Sequence, residues 1–129
     1  MVTNYCLLLG GIYMKPITTK PLQQAIDAFQ EQEVYIHLET TNGAYATHHG
    51  GKAFSAGAYI RNAKVRYEYG RIAGDGPFRI GLKLGELGWV YAEGCTHFEM
   101  DDQGRLLVAG HDDQGKLAVA LQLSLTPFE

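Results

Sequence analysis

A chain of 129 residues with 46% hydrophobic, 11% aromatic and 19% charged residues has the material for one packed domain, which excludes a disordered or coiled-coil protein and removes the need for a disulfide or metal staple. A net charge of −3 and a pI near 5.9, with Lys and Arg scattered singly, give no basic field to draw in a phosphate backbone, so no nucleic acid partner is expected. No apolar run approaches the ~18 residues of a membrane span, and Cys6 and Cys95 show no C-x-x-C spacing, so the expectation is a reducing, cytoplasmic location with neither membrane nor structural zinc.

The segment before Met14, ending LLLGGIY, reads less like protein than like a translated leader. Leu-Gly-Gly is encodable by a purine-rich ribosome-binding sequence, with Ile12 and Tyr13 filling the spacer before a start codon at Met14. Residues 1–13 are therefore expected to be non-native, and 14–129 to form the single globular domain, the alternative being that Tyr5 to Tyr13 forms a genuine extra edge strand.

Thr18-Thr19-Lys20-Pro21 offers a hydroxyl N-cap followed by a proline where its missing N–H costs nothing. Leu22, Ala25, Ile26 and Phe29 then recur at helical spacing opposite Gln23, Gln24, Asp27 and Gln30, which predicts one amphipathic helix ending near Gln32. Its apolar stripe needs a sheet to cover.

From Val34 the period changes to two. Val34, Ile36 and Leu38 alternate with Tyr35, His37 and Glu39 up to Thr41-Asn42-Gly43, where Asn-Gly suits a tight hairpin turn. A return strand over 44–49 would pair Glu39 with Ala46 and His37 with His48. Two further strands, 54–61 and 64–69, are expected about an Asn62-Ala63 turn. Gly74-Asp75-Gly76-Pro77 is a loop, and strands follow over 78–84, 89–92 and 96–100. The chain then nearly repeats itself, DDQGRLLVAG and DDQGKLAVAL, each Asp-Asp-Gln-Gly fitting a short hairpin loop with Gly104 or Gly115 left-handed. Sixteen glycines without a fixed period agree with many short strands. The predicted class is α+β and mostly antiparallel β: one N-terminal helix packed on a curled or barrel-like meander of about eight or nine strands.

His37 and Glu39 share a strand face, and one of His48 and His49 joins them in the expected register. His97 and Glu99 repeat the His-x-Glu spacing, with Glu93 shortly before. His37, Glu39, His48, Glu93 and His97 are thus the candidate ligand-binding residues, convergent if the sheet closes. Such a set can bind a divalent ion or move protons, but Tyr, His, Thr and Glu are also ordinary cross-strand pairs. No H-E-x-x-H or paired-cysteine spacing supports a metal, so no metal and no cofactor are expected. The glycine-rich run at 70–85 lacks G-K-[ST], and His111 sits in a polar turn. Ser55 lies outside any G-x-S-x-G setting, and Cys95 has no visible activating group. No catalytic residues are assigned, and a non-enzyme is favoured over an enzyme.

The segments EVYIHLETTNGAYA, AGAYIRN, GDGPFRIGLKL, GWVYAEGCTHFE, GRLLVAGHD and GKLAVALQLSLTPFE resemble the YojF-like family of small proteins from Bacillus-type Gram-positive bacteria over essentially all of 14–129. Members of that family typically begin at MKPI, matching Met14 to Ile17. The resemblance brings no catalytic residues with it. Genes of the family commonly lie beside one for a zinc-dependent deacetylase of the bacillithiol pathway, which implies a non-catalytic accessory or ligand-binding partner of that deacetylase. The alternatives are a small enzyme using a His/Glu cluster in a barrel mouth, and a structural homodimer. A homodimer is also the expected assembly, because long strands must hide their edges.

Overall fold

The structure, a computed structural model, describes residues 7–9, 12–41 and 57–129. Its elements in chain order are β1 (Leu7–Leu9), β2 (Ile12–Pro16), α1 (Thr19–Ala28), β3 (Glu33–Thr40), β4 (Ala58–Arg66), β5 (Tyr69–Ala73), β6 (Phe78–Lys83), a 3₁₀ turn (Gly85–Leu87), β7 (Trp89–Cys95), β8 (His97–Met100), β9 (Leu106–His111) and β10 (Leu117–Ser124). All strand pairs are antiparallel. They form a large sheet in the order β1-β2-β8-β9-β10-β3-β4 and a small sheet β5-β6-β7. The predicted class holds, but the meander divides into two sheets and does not close into a barrel.

The strand periodicity decides which side faces in. Val34, Ile36 and Leu38 of β3, Leu121 and Leu123 of β10, Leu106 and Val108 of β9 and Phe98 of β8 join Ile80, Leu82 and Ala92 of the small sheet in one core. Leu22 and Ile26 of α1 and Phe29 directly after it enter the same core, so the helix stripe found its sheet. Thr18 is the N-cap residue, although its hydroxyl makes no capping hydrogen bond, and the helix ends at Ala28 rather than near Gln32. Gln23, on the polar face, finds a specific task. Its amide donates to Gly70 O (2.9 Å) and accepts from Ile72 N–H (3.0 Å), so a side chain replaces the missing strand along the edge of β5. The fit is close, because a Cβ at Gly70 would lie 2.5 Å from Ile26 Cγ2.

Two sequence readings are corrected. The expected return strand over 44–49 lies outside the described residues, yet β3 cannot pair with it in the expected register: both its edges are taken, by β10 and by β4, and His37 faces Arg61 while Glu39 faces Tyr59 on β4. His37 lies between Gln122 of β10 and Arg61 of β4. Nor is Asn62-Ala63 a turn. One continuous strand, β4, runs through it with Asn62 at φ 60, as the extra residue of a β-bulge between Ile36↔Ala63 and His37↔Arg61. Asparagine tolerates the left-handed conformation, so the same residue chemistry serves a bulge as readily as a turn.

The Asp-Asp-Gln-Gly loops behave as expected. Asp101 Oδ1 accepts from the N–H groups of Gln103 and Arg105, and Asp112 Oδ1 from those of Gln114 and Lys116. Gly104 and Gly115 stand at φ 77 and 79, which closes β8-β9 and β9-β10 as short hairpins. Among the described residues no helix is long and apolar enough to cross a membrane.

Candidate functional site

Because Val34, Ile36 and Leu38 point into the core, Tyr35, His37 and Glu39 point out of the other face of the large sheet. There His37 is nonetheless 5% exposed, covered by the C-terminal segment that follows β10. That segment is tied down by the bulge: Asn62 Nδ2 donates to Phe128 O and Asn62 Oδ1 accepts from Phe128 N–H, both at 2.7 Å. Phe128 is buried, lies 6.4 Å from the His37 ring edge to face, and carries the guanidinium of Arg61 over its ring. Arg61 also donates to the main-chain oxygen of Glu129.

This arrangement settles the His37 tautomer. Arg61 Nη1 lies 3.1 Å from His37 Nδ1, and arginine can only donate. Nδ1 is therefore the acceptor, and Nε2 carries the hydrogen donated to Glu39 Oε1 at 3.2 Å. The three side chains wall a groove of about 640 Å³. Leu107, Ala120 and Gln122 lie along its floor, Gln103 and Arg105 close the hairpin side, and residues 126–129 close the other. Arg105 is held by Asp101 through its Nε (2.6 Å), with its guanidinium 6.0 Å from the Phe128 ring.

The structure thus brings together His37 and Glu39 of the candidate set. His97 and Glu99 lie on the same sheet face but in another place, since the register aligns His97 with Glu39 through Ala109 and Ala120. Three strand spacings separate them, about 14 Å. His97 has its own neighbours, Thr96 Oγ1 2.7 Å from Nδ1 and the His111 ring at 5.8 Å. Glu93 is on the small sheet, ion-paired with Arg79. His48 lies outside the described residues.

Sequence reasoning missed Arg61, Arg105, Gln122 and Phe128. Gln122 did leave a signal, a polar residue inside the apolar run LAVALQL where a core strand has no use for one. Phe128 left a weaker one, an aromatic beyond the last strand. Cys95 is confirmed as buried. Burial, with a smaller contribution from the Glu93 charge, pushes its thiol up to about 12, which removes it as a nucleophile near neutrality.

A family model described as "Protein of unknown function (DUF1806)" matches residues 16–128. The chain belongs to the DUF1806 family. It is 50% identical over 115 residues to the uncharacterized protein YojF of Bacillus subtilis (strain 168), covering 89% of this chain and 98% of that one. The crystal structure of Bacillus subtilis YojF protein matches with a TM-score of 0.76 at 46% identity, over 90% of this chain and 97% of the other. The DUF1806 match spans α1, the small sheet, the large sheet from β3 onward and nearly all of the segment that walls the groove.

Proposed function

We propose that this DUF1806 protein is a non-catalytic, cytoplasmic accessory or ligand-binding partner of a zinc-dependent deacetylase in low-molecular-weight thiol (bacillithiol) metabolism, with the His37-Arg61 groove as its binding surface. The observation that carries the binding reading is the state of His37: both ring nitrogens are engaged, Nδ1 by Arg61 and Nε2 by Glu39. An imidazole hydrogen-bonded at both nitrogens is fixed in orientation as part of the groove wall. The groove offers donors and acceptors around a floor of Leu107, Ala120 and Gln122, which is the make-up of a site that orients a small polar molecule.

The competing reading, a small enzyme, draws on the same dyad, since a carboxylate beside an imidazole is also how a general base is oriented. One experiment separates them. An N-acetylglucosamine-linked thiol precursor is incubated with the chain alone, and the deacetylated thiol product is titrated against the chain by NMR. The binding reading expects no released amine and shifts confined to His37, Arg61, Arg105 and Gln122. Amine release abolished by His37→Ala would establish the enzyme instead, and absence of both turnover and shifts would remove this ligand from the groove.

A further inference from the structure

The segment that covers His37 has a single anchor. Leu125, Thr126 and Pro127 are exposed, Phe128 is 7% exposed and Glu129 is exposed again, so three residues in water lead from the end of β10 to one buried ring. That ring belongs to neither of the two apolar core clusters. It lies instead beside the His37 imidazole at 6.4 Å and the guanidinium groups of Arg61 and Arg105 at 5.1 and 6.0 Å, contacts that are individually weak. The backbone is as loosely joined to the sheet as the ring is to the core. Among the described residues no main-chain group of 126–129 bonds to another main-chain group. The ties are side chains: the Asn62 amide on the N–H and C=O of Phe128, Arg61 on Glu129 O, and Ser124 Oγ on Thr126 N–H.

A segment tied in this way can open by itself, because its release breaks no strand ladder and exposes no part of the core. We propose that residues 125–129 are a hinged lid on the His37 groove, with 125–127 as the hinge and Phe128 as the latch. This gating rests on the groove being the binding surface proposed above, and it adds how a ligand reaches the imidazole. Arg61 couples lid and site, since one guanidinium donates both to His37 Nδ1 and to Glu129 O. Opening leaves Arg61 Nη2 without its acceptor beside an uncovered ring, so an entering molecule with a carbonyl or carboxylate oxygen takes the place of Glu129 O. Tyr59, which meets His37 edge-on at 5.3 Å, belongs to the paired strand β4. The lid therefore uncovers one side of the imidazole while β4 keeps the other.

Amide hydrogen exchange of the intact wild type, followed by NMR from 0 to about 1 M urea, reads the opening. The Phe128 N–H is expected to exchange roughly a hundredfold faster than that of Leu121 in β10 and without dependence on urea, as a local opening that exposes little surface does. Diethyl pyrocarbonate reads the cover. Carbethoxylation of His37, mapped by peptide mass spectrometry, is expected to rise about fivefold or more in Phe128→Ala and in Asn62→Gly, with circular dichroism as the check on folding. Phe128 exchange that tracks Leu121 in rate and urea dependence overturns the lid, and this wild-type measurement decides alone where a variant fails to fold. Unchanged His37 reactivity in the folded variants overturns it equally, because the segment then covers nothing. Neither measurement uses a ligand, so a fixed wall leaves the binding reading to its own titration.

Discussion

Two side-chain amides do what backbone does elsewhere in this molecule. Gln23 supplies a donor and an acceptor to the edge of β5, and Asn62 supplies the same pair to Phe128. An amide presents both without charge, on two separate atoms held in one plane, so neither position accepts a carboxylate or a lysine without leaving a main-chain group unpaired. Asn62→Ala is expected to cost about 1–3 kcal/mol in urea unfolding. Asn62→Gly, which keeps the left-handed conformation but also loses the clasp, should free the C-terminal segment as well, seen as faster amide exchange at Phe128. If the glycine variant exchanges like wild type, the clasp does not hold the segment. Cys95 makes a second residue-scale test. With its thiol pushed up to about 12, alkylation at pH 8 followed by peptide mapping should leave Cys95 unlabelled in the folded protein and label it in urea. Rapid labelling of the native state would contradict its burial.

The twin hairpins are the elements whose sequence spoke most directly. Asp at the first loop position and Gly at the fourth are local requirements of an Asx turn with a left-handed residue, and local requirements survive into the fold unchanged. Gly104→Ala and Gly115→Ala should each cost about 1–2 kcal/mol, the strain of a Cβ in that conformation, and their effects on the denaturation midpoint should add. The first loop also carries an ion pair, Arg105 Nε to Asp101 Oδ2 at 2.6 Å. Burial alone would push the Asp101 carboxyl up, but the Arg105 and Gln103 N–H groups and the Arg105 side chain outweigh it and hold it below the usual range. Its folded value being lower than its unfolded one, the stabilisation is present above about pH 3.9 and is lost as pH falls through the folded value. Asp101→Asn should therefore be clearly destabilised at pH 7 and approach wild type near pH 2, read from urea midpoints at both. An equal deficit at both pH values would assign the loss to geometry rather than charge. Non-local pairing was not legible in this way. The alternation at 34–39 revealed β3 and its inward face but not its partners: an Asn-Gly after a strand names a turn, while β10, its partner on one side, lies some eighty residues further along. Asn62 was misread for the same reason, since a left-handed residue marks a bulge or a turn and only the neighbouring strand decides.

At the scale of the whole molecule the two sheets share one core, so the faces they turn outward lie on opposite sides: the His37 groove on one, the exposed Trp89 and Tyr91 on the other. Phe29, buried at 5% exposure among both sheets, ties α1 to that core, and Phe29→Ala should cost about 3–5 kcal/mol in urea unfolding. A loss below about 1 kcal/mol would mean the helix contributes little to the common core. The site was only half legible for a reason of the same scale. His37 and Glu39 sit two residues apart and announce themselves, whereas Arg61, Arg105 and Phe128 come from three other parts of the chain and meet only after the sheet has assembled. The position of the last residues also bears on how the protein is handled at the bench. Because Thr126 to Glu129 form a wall of the groove and Arg61 grips Glu129, anything fused after Glu129, an affinity tag or a fluorescent reporter, starts in the wall of that groove. A probe tethered at Gln24 of α1, exposed and no part of the groove's lining, stays clear of that wall.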